Sequence, residues 1–338
     1  MLLRQKNMYS GPSKVALKLS YPRLLADIGG THARFALQGA VDAPVSEVKT
    51  LENKNYASFV ALIEAYLTSL PVRPKYAALA IAGVITDDTV LIANIGWPFS
   101  RDALLTAFDF TQLVILNDFS ALAHALPLLK PNEYEQIGQG IAKSGHPLAL
   151  IGPGTGLGVS GLIPTPDGRW IPLQSEGGHT TLAAMDMKEA ELIRIIRQTH
   201  PYVSAEQLLS GKGLPNLYHA MATLYGQTTA ILSARAIIEQ AVNKQCAVCV
   251  EVLDTFSAML GTVAGDLALT LGAQGGLYLG GGIIPLLGSS FNKMRFRARF
   301  EDKGQLSPFM AKIPTYIITV ANPALRGVAA ALSSSFNG

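Results

Sequence analysis

Cysteine is almost absent from this chain: Cys246 and Cys249 are the only two among 338 residues. So few cannot build the disulfide framework of a secreted scaffold, and their scarcity fits a reducing, cytoplasmic compartment. Their C-x-x-C spacing would need further Cys or His partners to make a zinc site. The helical periodicity of Gln245 to Leu260 instead predicts two buried cysteines on a helix face. Charge is also sparse, 15% of residues with a formal net charge of +3. No stripe of interleaved Lys, Arg and aromatics follows a phosphate backbone, so nucleic acid is not an expected partner. The Gly-x-x-x-x-Gly-Lys-Ser/Thr string is missing, which excludes the P-loop class. Residues 1 to 20 carry Arg4, Lys6, Lys14 and Lys18 but no apolar stretch of signal-peptide length. A loose N-terminal extension is expected there, not a targeting segment. One charge-free run, Leu267 to Asn292, is long enough to raise a membrane span. Its glycines cost a helix about 1 kcal/mol each and divide the run into a helix end, a buried strand and a tight loop. No membrane partner is expected.

What is present is apolar: 49% of residues are hydrophobic, enough for a large core. The length fits two domains of roughly 100 to 200 residues each. Leu24 to Ile28 reads as a strand, Gly29-Gly30-Thr31 as a turn, and Ala33, Phe35 and Leu37 as one face of a returning strand. A helix follows, with Phe59, Leu62, Ile63, Tyr66 and Leu67 on its apolar side, and then strands at Tyr76 to Ala82 and Leu113 to Leu116. The second strand runs through Asn117-Asp118 into a helix stopped at Pro127. The same grammar restarts at Leu148 to Ile151, with a Gly152 to Gly156 turn and a returning strand, Val159 to Ile163, closed by an Asp167-Gly168 turn. That repetition points to an internal duplication. Helices are expected over Asp186 to His200 and Ser233 to Gly272, strands at Leu277 to Leu279 and Tyr316 to Val320, and a small-residue helix after Pro323.

Three Gly-rich turns each follow a strand: Gly29-Gly30-Thr31, Gly152 to Gly158, and Gly280-Gly281-Gly282. Glycine lets the backbone approach a ligand, and consecutive N-H groups in such a turn form an anion nest. Three in one chain suggest a polyphosphate, although any one alone can be only a turn. Gly156, Gly158 and Gly161 match dinucleotide spacing, but a strand follows where that motif needs a helix.

The strings LLADIGGTHARFAL, ILNDFSALAHALP, IGPGTGLGVSGLI, SEGGHTTLA, VSAEQLLSGKGL and LYLGGGIIP resemble, in this order and at similar spacing, the bacterial glucokinase family. The resemblance covers nearly the whole chain from about residue 22. It implies an α/β, two-lobed actin-like ATPase fold, a duplicated ribonuclease H-like arrangement with a ligand cleft between the lobes. The small lobe would span residues 21 to 128, completed by about 320 to 338, and the large lobe 129 to 319. It further implies a homodimer that phosphorylates glucose with ATP and Mg²⁺.

By the same resemblance Gly29, Gly30 and Thr31 form the first phosphate turn and Gly154, Thr155 and Gly156 the second. Gly280, Gly281 and Gly282 would sit under the adenosine, and Asp27 would hold Mg²⁺ through water. Asp118 would be the general base that phosphoryl transfer to a hydroxyl requires. A helix N-cap is its structural alternative. Sugar hydroxyls both donate and accept, and Asn117, Asp118, Glu176, His179 and Glu206 match the family's sugar-contacting positions. Glu206 is expected in the first turn of a helix capped by Ser204, where it could merely complement the dipole or join a capping box. His179 could be a structural histidine; no cysteine cluster follows it, so no zinc is expected. Asn94 and Gly83 are weaker candidates for the sugar pocket. Competing readings are a sugar-binding regulator and a sugar-independent ATPase of the same fold. The first lacks room for a helix-turn-helix in the leading 20 residues, and the second needs no polar set like Asn117, Glu176, His179 and Glu206.

Overall fold

The computed structural model describes residues 21–40, 43–86, 88–92, 95–228 and 230–336. The expected N-terminal extension and Asn94 lie outside the described residues. The chain divides into two compact units: the segment through Leu128 joined by the segment from Ala321, and Leu129–Val320.

In the first unit, successive side chains of a strand point to opposite faces of the sheet, and both faces are covered by packed side chains. Strands β1 (Arg23–Ile28), β2 (His32–Gln38), β3 (Ser46–Glu52), β4 (Tyr76–Ile81) and β8 (Gln112–Asn117) form one sheet in the order β3-β2-β1-β4-β8. β1 pairs antiparallel with β2 and parallel with β4, and β4 pairs parallel with β8. Leu24, Ala26 and Ile28 pack on one face with Phe59, Leu62, Ile63 and Tyr66 of helix Phe59–Thr68. Leu25, Ala78 and Ala80 pack on the other with Ala121, Leu325, Val328 and Leu332. Helix Pro323–Ser334 rides close on helix Asp118–Ala125 because Gly327 has no side chain; a Cβ there would strike the Ala121 carbonyl. Arg23, fully buried, ties the same helix to the sheet through Ala329 O at 3.3 Å and Ser333 Oγ at 2.7 Å. A smaller antiparallel sheet, β5 (Gly83–Thr86), β6 (Thr89–Ile92) and β7 (Trp97–Ser100), follows β4.

The second unit repeats the plan. Strands β10 (Leu148–Pro153), β11 (Leu157–Pro164), β12 (Trp170–Pro172), β13 (Gly276–Leu279) and β14 (Thr315–Ile318) run in the order β12-β11-β10-β13-β14, with β9 (Tyr134–Ile137) added antiparallel at the end. An antiparallel triplet followed by two parallel strands thus occurs twice, which is the duplication the Gly-turn grammar predicts. Helix Ala247–Leu271 is apolar and long enough to cross a bilayer, but 72% of its most apolar window is buried, and it serves as the core of the unit. The charge-free run 267–292 is divided as expected: helix end, left-handed Gly272, strand β13 and the Gly280–Gly282 turn.

Two helical expectations are corrected. The stretch Ser233 to Gly272 is two helices, Ala234–Val242 and Ala247–Leu271, separated where Lys244 adopts a left-handed φ of 55°. Cys246 caps the second helix by accepting from Cys249 N-H at 3.3 Å, so only Cys249 is buried on it. Burial pushes the Cys249 thiol up to about 12, the behaviour of a packed, unreactive group. The helix expected after Ser204 is a series of turns, and regular helix starts at Leu214. The capping contact forms, Ser204 N-H donating to Gln207 Oε1 at 3.0 Å, but Gly211 N-H bonds Gly154 O at 2.8 Å and draws the chain away.

Candidate active site

In the first unit, parallel pairing sets Ile28, Ile81 and Asn117 side by side at the carboxyl ends of β1, β4 and β8. Open α/β sheets place ligands at that end. It brings Asp27 and the Gly29-Gly30-Thr31 turn together with Asn117 and Asp118. The turn closes through Gly29 N-H to His32 O at 3.0 Å and is braced by Asn53. Asn53 is buried; its Nδ2 donates to Gly29 O at 2.8 Å and its N-H to Thr31 O at 3.0 Å, while its Oδ1 has no partner. Sequence reasoning missed this residue, which sits in a polar stretch with no motif around it.

Asp27 lies opposite Arg34 in the β1/β2 register, with the guanidinium 3.4 Å from its carboxylate. Burial pushes the Asp27 carboxyl up, and Arg34 pulls it partly back. A largely desolvated carboxylate with one long ion pair suits a hard cation, which would relieve the cost of its charge. No cluster of three or more His, Cys, Asp or Glu exists among the described residues. One desolvated carboxylate at Asp27 is a donor of the type that hard cations such as magnesium prefer.

The cap alternative for Asp118 passes to its neighbour. Asn117 Oδ1 accepts from Phe119 N-H at 2.9 Å and Ser120 N-H at 3.3 Å, making Asn117 the N-cap of helix Asp118–Ala125. Asp118, the first helical residue, accepts from the adjacent Phe119 N-H at 3.0 Å. Its carboxylate stands at the positive end of the helix. Gly83 has a packing reason of its own, since a Cβ would collide with the Leu91 carbonyl.

In the second unit, the same sheet end gathers the other two turns. Gly154 N-H bonds Gly156 O at 2.8 Å, and Gly280 N-H bonds Ile151 O at 2.9 Å. Gly281, at φ 80°, packs so tightly on Pro153 that a Cβ would overlap its carbonyl. Glu176, Gly177, Gly178 and His179 form a loop beside β11, with Gly178 pressed on the Leu157 carbonyl. Glu206 joins loop and turn: its N-H donates to Gly178 O at 2.8 Å, its Oε2 accepts from Leu157 N-H at 2.8 Å, and its Oε1 lies 3.8 Å from His179 Nε2. Glu176 is exposed and has no side-chain partner among the described residues. Tyr202 Oη donates to the His179 carbonyl at 2.6 Å and fixes the loop from outside. This arrangement offers backbone N-H donors for anions beside carboxylates and an imidazole suited to hydroxyls. Gly211, close enough to Gly154 that a Cβ would sit 3.1 Å from its carbonyl oxygen, is a further supporting residue.

The family model for Glucokinase matches residues 24–335. A glucokinase of Aromatoleum aromaticum is 47% identical over 321 residues, covering 94% of this chain and 97% of that protein. A glucokinase of Ralstonia nicotianae is 43% identical, covering 93% and 95%. The crystal structure of a glucokinase from an Antarctic psychrotroph superposes with a TM-score of 0.84 at 41% identity, covering 93% of this chain and 99% of that one. With the duplicated α/β sheets of the actin-like ATPase fold, these matches show that the chain belongs to the glucokinase family.

Proposed function

We propose that this chain transfers the terminal phosphoryl group of ATP to the 6-hydroxyl of glucose, giving glucose 6-phosphate and ADP. The observation that carries the reading is the placement of the Gly29–Thr31 turn and Asp118 at one sheet end, with Asn117 taking over the capping role. The Gly29-Gly30-Thr31 and Gly154-Thr155-Gly156 turns cradle the phosphates, with Gly30, Thr31, Thr155 and Gly156 offering their backbone N-H groups, and Gly280, Gly281 and Gly282 admit the adenosine. Asp27 would hold Mg²⁺ through water, and the bound ion would supply positive charge to the phosphates. Asn117, Glu176, His179 and Glu206 orient the sugar hydroxyls. Asp118 accepts the hydroxyl proton as the new O–P bond forms and the bond to ADP breaks, so its task is positioning and deprotonation.

Identity near half with named glucokinases over nearly the full chain supports this substrate pair. A cytoplasmic homodimer completes the proposal; two free cysteines fit a reducing compartment, and sedimentation velocity tests the dimer. ADP release from Mg-ATP, with and without glucose and across a panel of hexoses, tests the activity. Strong stimulation by glucose is expected. Turnover indifferent to every sugar would refute it.

A further inference from the structure

The Gly154–Gly156 turn already has an anion held against it. Glu206 Oε2 accepts from Leu157 N-H, the amide that follows the turn, at 2.8 Å. A Cβ on Gly156 would run into that same carboxylate. The approach is enforced by the backbone around it. Glu206 N-H donates to Gly178 O at 2.8 Å, Ser210 Oγ donates to Glu206 O at 2.7 Å, and Gly211 N-H donates to Gly154 O at 2.8 Å. Glu206 is therefore stitched to the turn and is no wandering surface charge. Its second oxygen, Oε1, faces His179 at 3.8 Å.

A phosphate bound in a Gly-rich turn uses successive backbone N-H groups. A carboxylate that takes the neighbouring N-H competes for this donor, and its charge repels the phosphate more strongly than in bulk water because the site is partly buried. From this geometry we infer that Glu206 acts as an internal anion, holding the phosphate turn against the donor nucleotide until sugar hydroxyls engage its carboxylate. The inference rests on the proposed assignment of the turn to phosphate and of Glu206 to sugar. Hydroxyl groups that donate to the carboxylate compete with Leu157 N-H for it. The freed N-H then serves the donor phosphate. Sugar thereby promotes nucleotide binding, and ATP cleavage without sugar is held down. Glu206 is in this respect a positioning residue that acts through the turn.

Glu206→Gln tests the inference, because it keeps an oxygen able to accept from Leu157 N-H and removes the charge. The measurement is calorimetric affinity for Mg-AMPPNP, first without and then with saturating glucose, alongside a thermal melt of each protein. Wild-type protein should bind AMPPNP about tenfold tighter with glucose, within the usual range of coupling between sites. Glu206→Gln should bind AMPPNP without glucose about tenfold tighter than wild type does. A purely structural role for Glu206 would give weaker binding instead. If the variant binds no tighter while wild type phosphorylates glucose normally, the inference fails and the kinase reading stands. If wild type binds no AMPPNP under either condition, both fail. The wild-type coupling is decisive even for a variant that does not fold: glucose changing AMPPNP affinity less than about twofold overturns the inference.

Discussion

Replacing Asp118 by Asn should separate chemistry from folding. The helix Asp118–Ala125 keeps its cap in this variant, because Asn117 Oδ1 supplies the bonds to Phe119 and Ser120 N-H at 2.9 and 3.3 Å. What folding loses is a carboxylate in the first helical turn, worth about 0.3–1 kcal/mol. At roughly 2–4 °C per kcal/mol for a unit of this size, Tm should fall by no more than about 4 °C. Loss of a general base lowers kcat by about 10²- to 10⁴-fold, which is about 2.7–5.5 kcal/mol of transition-state stabilisation. Asn retains an amide that can pair with a sugar hydroxyl, so the glucose KM should change little. Asn117→Ala is the counterpart: it removes the cap, at about 1 kcal/mol, and raises the glucose KM. Steady-state kinetics with a melting curve on each variant make the comparison. Asp118→Asn turnover within tenfold of wild type would refute the base assignment. A Tm loss larger for Asp118→Asn than for Asn117→Ala would return the capping role to Asp118.

Asp27→Asn should abolish Mg²⁺-dependent turnover without lowering Tm by more than about 2 °C. Its carboxyl is raised above the ordinary 3.8 by burial, so its contribution to stability is greatest below that value and is lost as pH rises through the raised one. The variant should therefore gain on wild type in melts taken at increasing pH, and a constant difference would contradict the burial argument. Asn53→Ala removes the brace on Gly29 O and should cost about 1–3 kcal/mol and raise the ATP KM; unchanged ATP kinetics would exclude Asn53 from the support of the turn. Gly327→Ala forces a Cβ onto the Ala121 carbonyl. Overpacking at about 1–3 kcal/mol outweighs a helix-propensity gain of about 1 kcal/mol, so Tm should drop, and a Tm at or above wild type would refute the close packing.

The parts legible in the sequence are those whose pattern has one physical cause. β1, β8, β10 and β13 are short apolar runs ended by Gly or Asn, and sheet burial is what such runs require. The turns at Gly29, Gly154 and Gly280 are visible because clustered glycines after an apolar run mark a turn. β3, in contrast, is an edge strand whose residues are mostly exposed, Ser46 to Glu52, so no apolar alternation marks it. The break at Lys244 was hidden because a left-handed residue is normally flagged by Gly or Asn, and here it is lysine. The turns around Glu206 carry a true capping signature, Ser204 with Gln207, overridden by the long-range bond of Gly211 to Gly154. Asn53 acts through a partner 24 residues away in sequence, a contact that local pattern cannot encode. At Asp118 the residue type alone fits base and cap equally; the family resemblance favours the base, and the bonds of Asn117 supply the cap.

Transfer of the phosphoryl group of ATP to the 6-oxygen of glucose can be observed atom by atom. Phosphorus NMR of a reaction containing purified protein, Mg-ATP and glucose reads this directly. A new monoester signal, coupled to the C6 protons of glucose, should grow in step with ADP. Free inorganic phosphate as the sole product, or phosphate on another sugar oxygen, would contradict it.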